Sequence, residues 1–428
     1  MPVILGRPYT EQTPPFWLPI SFFALGFSGW LAGLAALLGA RRTVLAGAYT
    51  APGVLAAVHL LTLGFITAFM SGALYQLAPV LLNRRLARPR LGAVQAGLHS
   101  LGVVLLTAGM ATARPAWMLT GGSLLTIGLL LLAANLVATA RGARQRPVSG
   151  AFVSVGLVSL LGAAGMGLAM AARWAAGRPP QPLLPWHLAL GLGGWFAAIL
   201  TGVSYKLLPM FLGGPANPRH SPWVLGGLVL SVGLAMAAPL RGGPLAAAAA
   251  LLAAATAALY LGDVTAAWRA RPRKPADAAM VAMGLGSLNL ALSLALTAAG
   301  LATGGVVPWA GAAFFLYLNG WLGISIQGFL SRILPFLLWL HRYSRRWAEG
   351  PLPRLTDLLP DRWVRSYTWT TTGGVWLATA GLLLREAPVL AAGLLLTLAG
   401  VAAAAGSALA AVGERAPEMA RFRTPSPG

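Results

Sequence analysis

Three stretches of the chain share one pattern of glycine, aromatic and proline residues. Residues 59–82 read HLLTLGFITAFMSGALYQLAPVLL, residues 186–212 read WHLALGLGGWFAAILTGVSYKLLPMFL, and residues 314–340 read FFLYLNGWLGISIQGFLSRILPFLLWL. Aligned without gaps at offsets of 130 and 126 residues, they match in these columns: Gly64, Gly194 and Gly320; Gly72, Gly202 and Gly328; Pro79, Pro209 and Pro335. Self-similarity at a fixed period predicts a repeated structural unit.

Each stretch is also apolar and long enough to cross a bilayer as a helix, since a span needs about 20 residues. Apolar runs of similar length fill the chain between the three stretches. Together they predict twelve spans, at 16–40, 52–82, 92–112, 116–139, 149–172, 184–212, 222–240, 244–268, 278–302, 308–339, 368–384 and 388–411.

The repeat period equals four of these helices. The sequence therefore predicts an all-α fold, a polytopic transmembrane bundle of twelve helices with a pseudo-threefold repeat of four-helix units. The units lie at about 1–145, 146–275 and 276–412, and they form one integral membrane domain. Because four is an even number, all three units have the same orientation in the membrane.

The composition excludes an ordinary soluble domain. The chain has 428 residues, of which 57% are hydrophobic and 9% charged, whereas soluble domains average about 25% charged residues. The predicted partner is therefore the lipid bilayer, and the net charge of +22 reflects cytoplasmic loops rather than a nucleic-acid partner. The absence of Cys excludes disulfides, Cys-ligated zinc and iron–sulfur clusters.

The arginines predict the orientation. The loops 83–91, 140–148, 213–221, 269–277 and 340–367 and the tail 412–428 hold 21 Arg and Lys residues, whereas the loops that follow odd-numbered spans hold 7. Positive charge collects on the cytoplasmic side. We therefore expect a multi-pass protein of a bacterial-type inner membrane with both termini in the cytoplasm. The basic segment 340–367 is expected to lie on the membrane surface.

The second span carries a more specific pattern. His59, Gly72, Tyr75 and Pro79 form the spacing H-x12-G-x2-Y-x3-P. With twelve helices in three sets of four, this pattern resembles the catalytic subunit (subunit I) of the haem–copper oxidase superfamily, and it is most similar to the C-type oxidases and nitric oxide reductases. The topology covers nearly the whole chain, whereas the motif covers only these helices.

The resemblance implies six histidine ligands, of which this chain lacks most. In that family, histidines of helices two and ten hold a low-spin haem, a second histidine of helix ten holds a high-spin haem, and three histidines of helices six and seven hold copper. Only His59 matches cleanly, and His187 stands two residues before the column aligned with His59. The chain has five His, so a complete oxygen-reducing site is not expected.

Three histidines lie within the predicted spans. His59 and His187 are candidate ligands of a haem or a copper ion, because they lie at similar depth on repeat-related helices and neutral imidazole suits both metals. The alternatives are a hydrogen bond from His59 to a neighbouring carbonyl and a position for His187 at the membrane surface beside Trp186. His99 is expected to bond a backbone carbonyl in the core.

Polar residues occupy two further columns of the repeat. Tyr75 and Tyr205 share one column, and Gln76, Lys206 and Arg332 share the next. A pseudo-threefold bundle would place them at equivalent interior positions, as a polar cluster that binds an anion or lines a water-filled path. The alternative is that Lys206 and Arg332 extend to the membrane surface. Asp263 is expected to pair with Arg269.

These observations predict a haem–copper-oxidase-like membrane protein with a reduced ligand set. It would bind haem or copper and serve respiratory electron transfer or a gas response, beside other respiratory membrane subunits. In this it resembles the reduced members of the superfamily that are linked to the nitric oxide response. Two alternatives remain open: a transporter or channel without a cofactor, and an assembly subunit of a respiratory complex.

Overall fold

The computed structural model describes residues 13–143, 147–214, 219–272, 275–303, 306–344 and 352–413. Over these ranges the chain forms a bundle of twelve long helices. Their bounds are α1 Trp17–Gly39, α2 Pro52–Leu82, α3 Pro89–Ala111, α4 Pro115–Ala140, α5 Val148–Ala175, α6 Gln181–Leu212, α7 Ser221–Arg241, α8 Gly243–Arg269, α9 Ala278–Thr303, α10 Pro308–Arg342, α11 Asp361–Leu384 and α12 Ala387–Gly413. Each predicted span corresponds to one of them, which confirms the all-α fold class.

Eleven of these helices are long and apolar enough to cross a membrane, as judged from the part of the chain that is described. The remaining long helix is α11, which starts at Asp361, seven residues before the predicted span at 368. Its first two turns carry Arg362 and Arg365. The helix therefore extends beyond its apolar part, where charged residues leave the hydropathy signal weak.

Three helices change from α to π geometry in the middle. The π segments are Leu60–Thr67 in α2, Ala189–Ala197 in α6 and Leu316–Gly323 in α10. They coincide within one residue at the predicted offsets. A π turn leaves backbone groups less regularly paired and often marks a functional region, so this level of the bundle is the place to look for a site.

The aligned glycines make the same contacts in each unit. A Cβ atom added at Gly64 would contact Gly29 of α1, one at Gly194 would overlap Ser159 of α5, and one at Gly320 would contact Asn289 of α9. Positions 29, 159 and 289 are themselves spaced by 130 residues. Small residues at these points allow close helix packing. We carry the four-helix repeat forward as a proposal, which these recurring contacts support.

The second glycine column behaves in the same way. Gly72 packs on Phe22, Gly202 packs on Phe152, and Gly328 packs on Ala282. The three partner positions are again spaced by 130 residues. In each proposed unit the first and second helices are therefore held at two levels by glycines of the second helix.

Hydrogen bonds join the three π segments to one another. Trp195 of α6 donates to Thr67 of α2 over 3.2 Å. Tyr317 of α10 donates to the carbonyl of Leu192 in α6 over 2.8 Å. Trp30 of α1 donates to the side chain of Asn319 in α10 over 3.0 Å, and the Trp30 ring stacks on Phe65 of α2 at 4.0 Å. These contacts connect α2 to α6, α6 to α10, and α10 back to α2 through α1. They hold the three π segments together in the middle of the bundle.

The helices of the bundle are not equally enclosed. In its most apolar window α10 is 89% buried inside the protein, whereas α7 and α8 are 17% buried. The helix α10 is therefore central and the α7–α8 hairpin is peripheral. The weak packing of this hairpin on α9 leaves a space between α8 and α9, which is described below.

The basic segment between α10 and α11 is partly packed on the protein. Residues 345–351 of the predicted surface segment 340–367 lie outside the described residues. In the described part, a short helix at Leu355–Leu358 buries Leu358 and Leu359 against the bundle, and Trp339 donates to the carbonyl of Pro353. These leucines pack against protein, and the predicted position of the segment at the membrane surface stays a prediction.

Candidate functional site

Two histidine side chains meet between α2 and α6. His59 lies in the turn that precedes the π segment of α2, and His187 lies two residues before the π segment of α6. Their ring centroids are 6.2 Å apart, and the ring planes differ by 23°. Both rings are partly buried. The predicted convergence of these two imidazoles is therefore present in the structure.

Both rings are held through the same nitrogen atom. Nδ1 of His59 donates to the carbonyl of Leu55 over 2.8 Å, and Nδ1 of His187 donates to the carbonyl of Ala163 in α5 over 2.9 Å. Since a carbonyl only accepts, Nδ1 carries the proton in each ring and Nε2 presents a lone pair. Neither Nε2 atom has a hydrogen-bond partner in the described chain. This is the arrangement in which histidines bind metals, with one nitrogen oriented by a carbonyl and the other free.

A glycine of α5 makes room for the second ring. A Cβ atom added at Gly167 would lie 3.2 Å from Cε1 of His187. Ala163 and Gly167 are four residues apart and so lie on one face of α5. The helix α5 therefore both orients His187 and forms one wall of the site.

The ring separation fits ligation of one metal centre. Histidine nitrogens bind metal ions at about 2.0–2.1 Å, so two rings at this separation could hold one ion between them. No group of three or more His, Asp or Glu residues suited to a metal occurs among the described residues. His59 and His187 could together hold haem iron or a copper ion, and either group would supply one-electron chemistry there. The donor set therefore fits haem or copper.

The other three histidines have different surroundings. His99 is buried in α3 and bonds the carbonyl of Leu63 through Nε2 over 3.0 Å, as predicted. His341 packs edge-on against Phe16. His220 pairs with Asp263 through Nδ1 at 2.7 Å. None of them lies in the pair of His59 and His187, so the structure gathers two of the five histidines.

The predicted polar cluster is not formed as one site. Gln76 is buried, whereas Lys206 is exposed on α6. Arg332 forms an ion pair with Asp277 at the start of α9. The expectation of equivalent interior positions is therefore wrong for Lys206. Because α6 is less enclosed than α2, its ammonium group reaches the surface, where it needs no buried counter-ion.

The two tyrosines of the adjacent column also differ. Tyr75 is fully buried beside Phe22, at a ring separation of 5.8 Å. Tyr205 is partly buried, and its hydroxyl donates to Asp263 over 3.0 Å. Sequence columns fix the position of a residue on its own helix, but the neighbouring helices decide its contacts.

A buried carboxylate forms a network that the sequence does not predict. Asp263 of α8 accepts hydrogen bonds from Tyr205, from Nδ1 of His220 and from the backbone amide of His220 at 3.1 Å. The expected partner, Arg269, lies six residues further along α8. Side chains three or four residues apart share a helix face, so Arg269 lies on a different face from Asp263. Asp263 therefore links α8 to α6 and to His220, the residue that precedes α7.

Replacing Asp263 with alanine is expected to lower the free energy of unfolding by about 2–3 kcal/mol, because the Tyr205 hydroxyl and the His220 amide would lose their acceptor. The measurement is denaturant unfolding of the purified protein in detergent. Glu386 is an exposed acid, so Glu386→Ala serves as the control and should change stability by less than about 0.5 kcal/mol. Equal midpoints for the two variants would contradict the assigned role of Asp263.

Comparison with known protein families finds no family model that matches this chain, and comparison with curated proteins finds no match either. The assignment of a function therefore depends on the chain's own residues and their geometry.

Proposed function

We propose that this protein is a haem–copper-oxidase-like membrane protein with a reduced ligand set, in which His59 and His187 hold one haem iron or one copper ion. Its role is electron transfer or gas response in a respiratory membrane rather than complete oxygen reduction. The observation that carries the proposal is the His59–His187 pair, with a ring separation of 6.2 Å and both Nδ1 atoms bound to carbonyls.

The protein's own residues contribute orientation and protection. The carbonyls of Leu55 and Ala163 fix the tautomer of each ring, so that Nε2 carries the lone pair. Gly167 allows the His187 ring to lie against α5. When bound, the metal centre supplies one-electron chemistry or a position for a diatomic gas.

The remaining residues favour this reduced form over a terminal oxidase. In the resembled family, α10 supplies ligands, but at the middle of α10 this chain has Asn319, which bonds Trp30. The nitrogen atoms of His99 and His220 that bond Leu63 and Asp263 hold those rings in structural roles. The residues present therefore do not fit the copper and high-spin haem positions of the family.

The alternative of a cofactor-free transporter or channel has less support in the structure. That alternative depended on the missing histidine ligands and on an interior cluster of Gln76, Lys206 and Arg332. Lys206 is exposed, and Arg332 is paired with Asp277. The large cavity of the bundle is lined mostly by apolar side chains. A water-filled path would need more polar lining.

We also propose the location and partners from the sequence. The asymmetry of Arg and Lys between loops supports a bacterial-type inner membrane with both termini in the cytoplasm. The resemblance supports contact with other respiratory membrane subunits. A role in assembly without a bound cofactor stays an alternative, and the next experiment distinguishes it from the proposed metal-binding role.

The test is an absorption spectrum and metal analysis of protein purified in detergent after expression in haem-replete, copper-supplemented cells. The expected result is one haem per chain, with a Soret band that shifts on reduction, or one copper ion per chain without that band. Folded protein with neither haem nor a stoichiometric metal would refute the proposal and favour the transporter or the assembly role.

A further inference from the structure

A second candidate site lies on the other side of α6. A cavity of about 410 Å³ separates α6, α7 and α8 from α9 and α10. Its volume falls within the range of about 300–1,000 Å³ that is typical of small-molecule sites. Its lining does not include His59 or His187, so the cavity is independent of the proposed metal pair.

The cavity reaches the outer surface of the bundle at three helices, and at α8 it does so near the middle of the span. Ala253 of α8, Leu301 of α9 and Ala310 of α10 belong to the lining and are also exposed. The neighbouring surface of a membrane-spanning bundle is hydrocarbon. A molecule that enters here therefore comes from the bilayer and is itself largely apolar.

Flat rings form much of the wall. The aromatic residues in the lining are Tyr260, Trp309, Phe314, Tyr317 and Trp321. Aromatic faces and edges favour a planar ring as a partner over a flexible acyl chain. This wall points to a ligand with an aromatic or quinonoid ring.

The lining offers one free hydroxyl. Most hydroxyl groups of the wall already donate to protein oxygen atoms, namely those of Ser231, Thr256, Ser293, Thr297 and Tyr317. Tyr260 is paired with Ser204. Thr201 is 4% exposed and its carbonyl accepts a hydrogen bond from Ser204, but its hydroxyl has no hydrogen-bond partner among the residues described. Its hydroxyl is therefore available to donate to an oxygen atom of a ligand.

The depth of Thr201 narrows the choice of ligand. It lies eleven residues before the end of α6 at Leu212, which is about 16 Å along the helix. The hydrocarbon core is about 30 Å thick, so this hydroxyl lies near the middle of a span. The head group of a phospholipid stays at the membrane surface and does not reach this depth.

From these observations we propose that the cavity binds an isoprenoid quinone. Its ring lies among the aromatic side chains, one carbonyl oxygen accepts a hydrogen bond from Thr201, and its tail leaves between helices beside Ala253, which lies near the middle of α8. The proposal concerns binding alone and does not depend on a metal at His59 and His187.

The test is equilibrium binding of decyl-benzoquinone to the purified full-length protein, followed by quenching of tryptophan fluorescence, since Trp309 and Trp321 line the cavity. We expect saturable quenching with one site per chain. Ala257→Phe fills the cavity and should weaken binding at least tenfold. Ala258 is adjacent, exposed and not part of the lining, so Ala258→Phe is the matched control and should leave the affinity unchanged.

Variants of Thr201 test the hydrogen bond. Thr201→Val keeps the shape and should weaken quinone binding by roughly threefold to tenfold, whereas Thr201→Ser should retain it. Decylbenzene, which has the ring and tail but no carbonyl, should bind wild type and Thr201→Val equally. If Ala257→Phe leaves quenching unchanged, or if Thr201→Val binds the quinone as wild type does, the proposal is wrong and the cavity holds an ordinary lipid chain.

Discussion

Purified His187→Ala protein is expected to contain no stoichiometric haem or copper. The proposed centre has two protein ligands, and each ring is already oriented by a carbonyl. Since loss of an outer-shell partner alone costs about 10–100-fold in metal affinity, loss of one of two ligands should cost at least about 100-fold. His59→Ala is expected to give the same result, because in each variant only one imidazole remains and a single ligand does not retain the metal.

The control for this experiment is another histidine of the membrane region. His99 is buried in α3, and its Nε2 bonds the carbonyl of Leu63. His99→Ala should therefore lower stability but keep the metal content per folded chain. The measurement is metal and haem content after size-exclusion chromatography, normalised to monodisperse protein. Metal retained in both His59→Ala and His187→Ala, or lost equally in His99→Ala, would contradict the assigned ligands.

Hydropathy predicts the helices of this protein well because each span is a separate apolar run bounded by Arg or Pro. The approach of His59 to His187 also follows from the sequence, since two aligned helices place these residues at similar depth. The sequence does not show the hydrogen bonds from Nδ1. Those depend on which neighbouring carbonyl lies beside each ring: Leu55 in the same helix for one ring, and Ala163 in α5 for the other.

The remaining features depend on how the helices are arranged around one another. Lys206 and Gln76 occupy one repeat column, yet one is exposed and the other buried, because α6 and α2 have different neighbours. The cavity between α8 and α9 arises because these two helices make few contacts with each other. No pattern in the sequence predicts that two helices will pack loosely. The hydrogen bonds of Asp263 could not be predicted from the sequence, because they depend on the position of the start of α7 beside α8.

The Gly29→Ala variant is expected to lose about 3 kcal/mol of stability, because overpacking of a close contact costs that order of energy. A Cβ atom at Gly29 would lie 2.7 Å from Cα of Gly64, with the carbonyl group of Gly64 closer still. Backbone atoms cannot rotate away as a side-chain terminus can. The helix α1 would therefore have to move away from α2 and disturb the bond from Trp30 to Asn319.

Position 29 differs in this respect from its counterparts in the other two proposed units. There the equivalent residues are Ser159 and Asn289, whose side chains pack on Gly194 and Gly320. In these two proposed units, the first helix carries a side chain where it meets the glycine of the second helix. Such a side chain needs more space between the two helices than a pair of glycines does. Only the first unit has glycine on both helices, so its backbones approach most closely and leave no room for a methyl group.

A graded series tests this account of the α1–α2 contact. Gly64→Ala should cost less than Gly29→Ala, because its Cβ would meet Cα of Gly29 at 3.2 Å. Gly39 lies on α1 with Gly29, and a Cβ atom added there would have no heavy atom within 4 Å. Gly39→Ala should therefore be neutral or slightly stabilising, since alanine has a higher helix propensity than glycine. Unfolding midpoints in detergent give the order directly. If Gly29→Ala were as stable as Gly39→Ala, α1 and α2 would not pack backbone to backbone at this level.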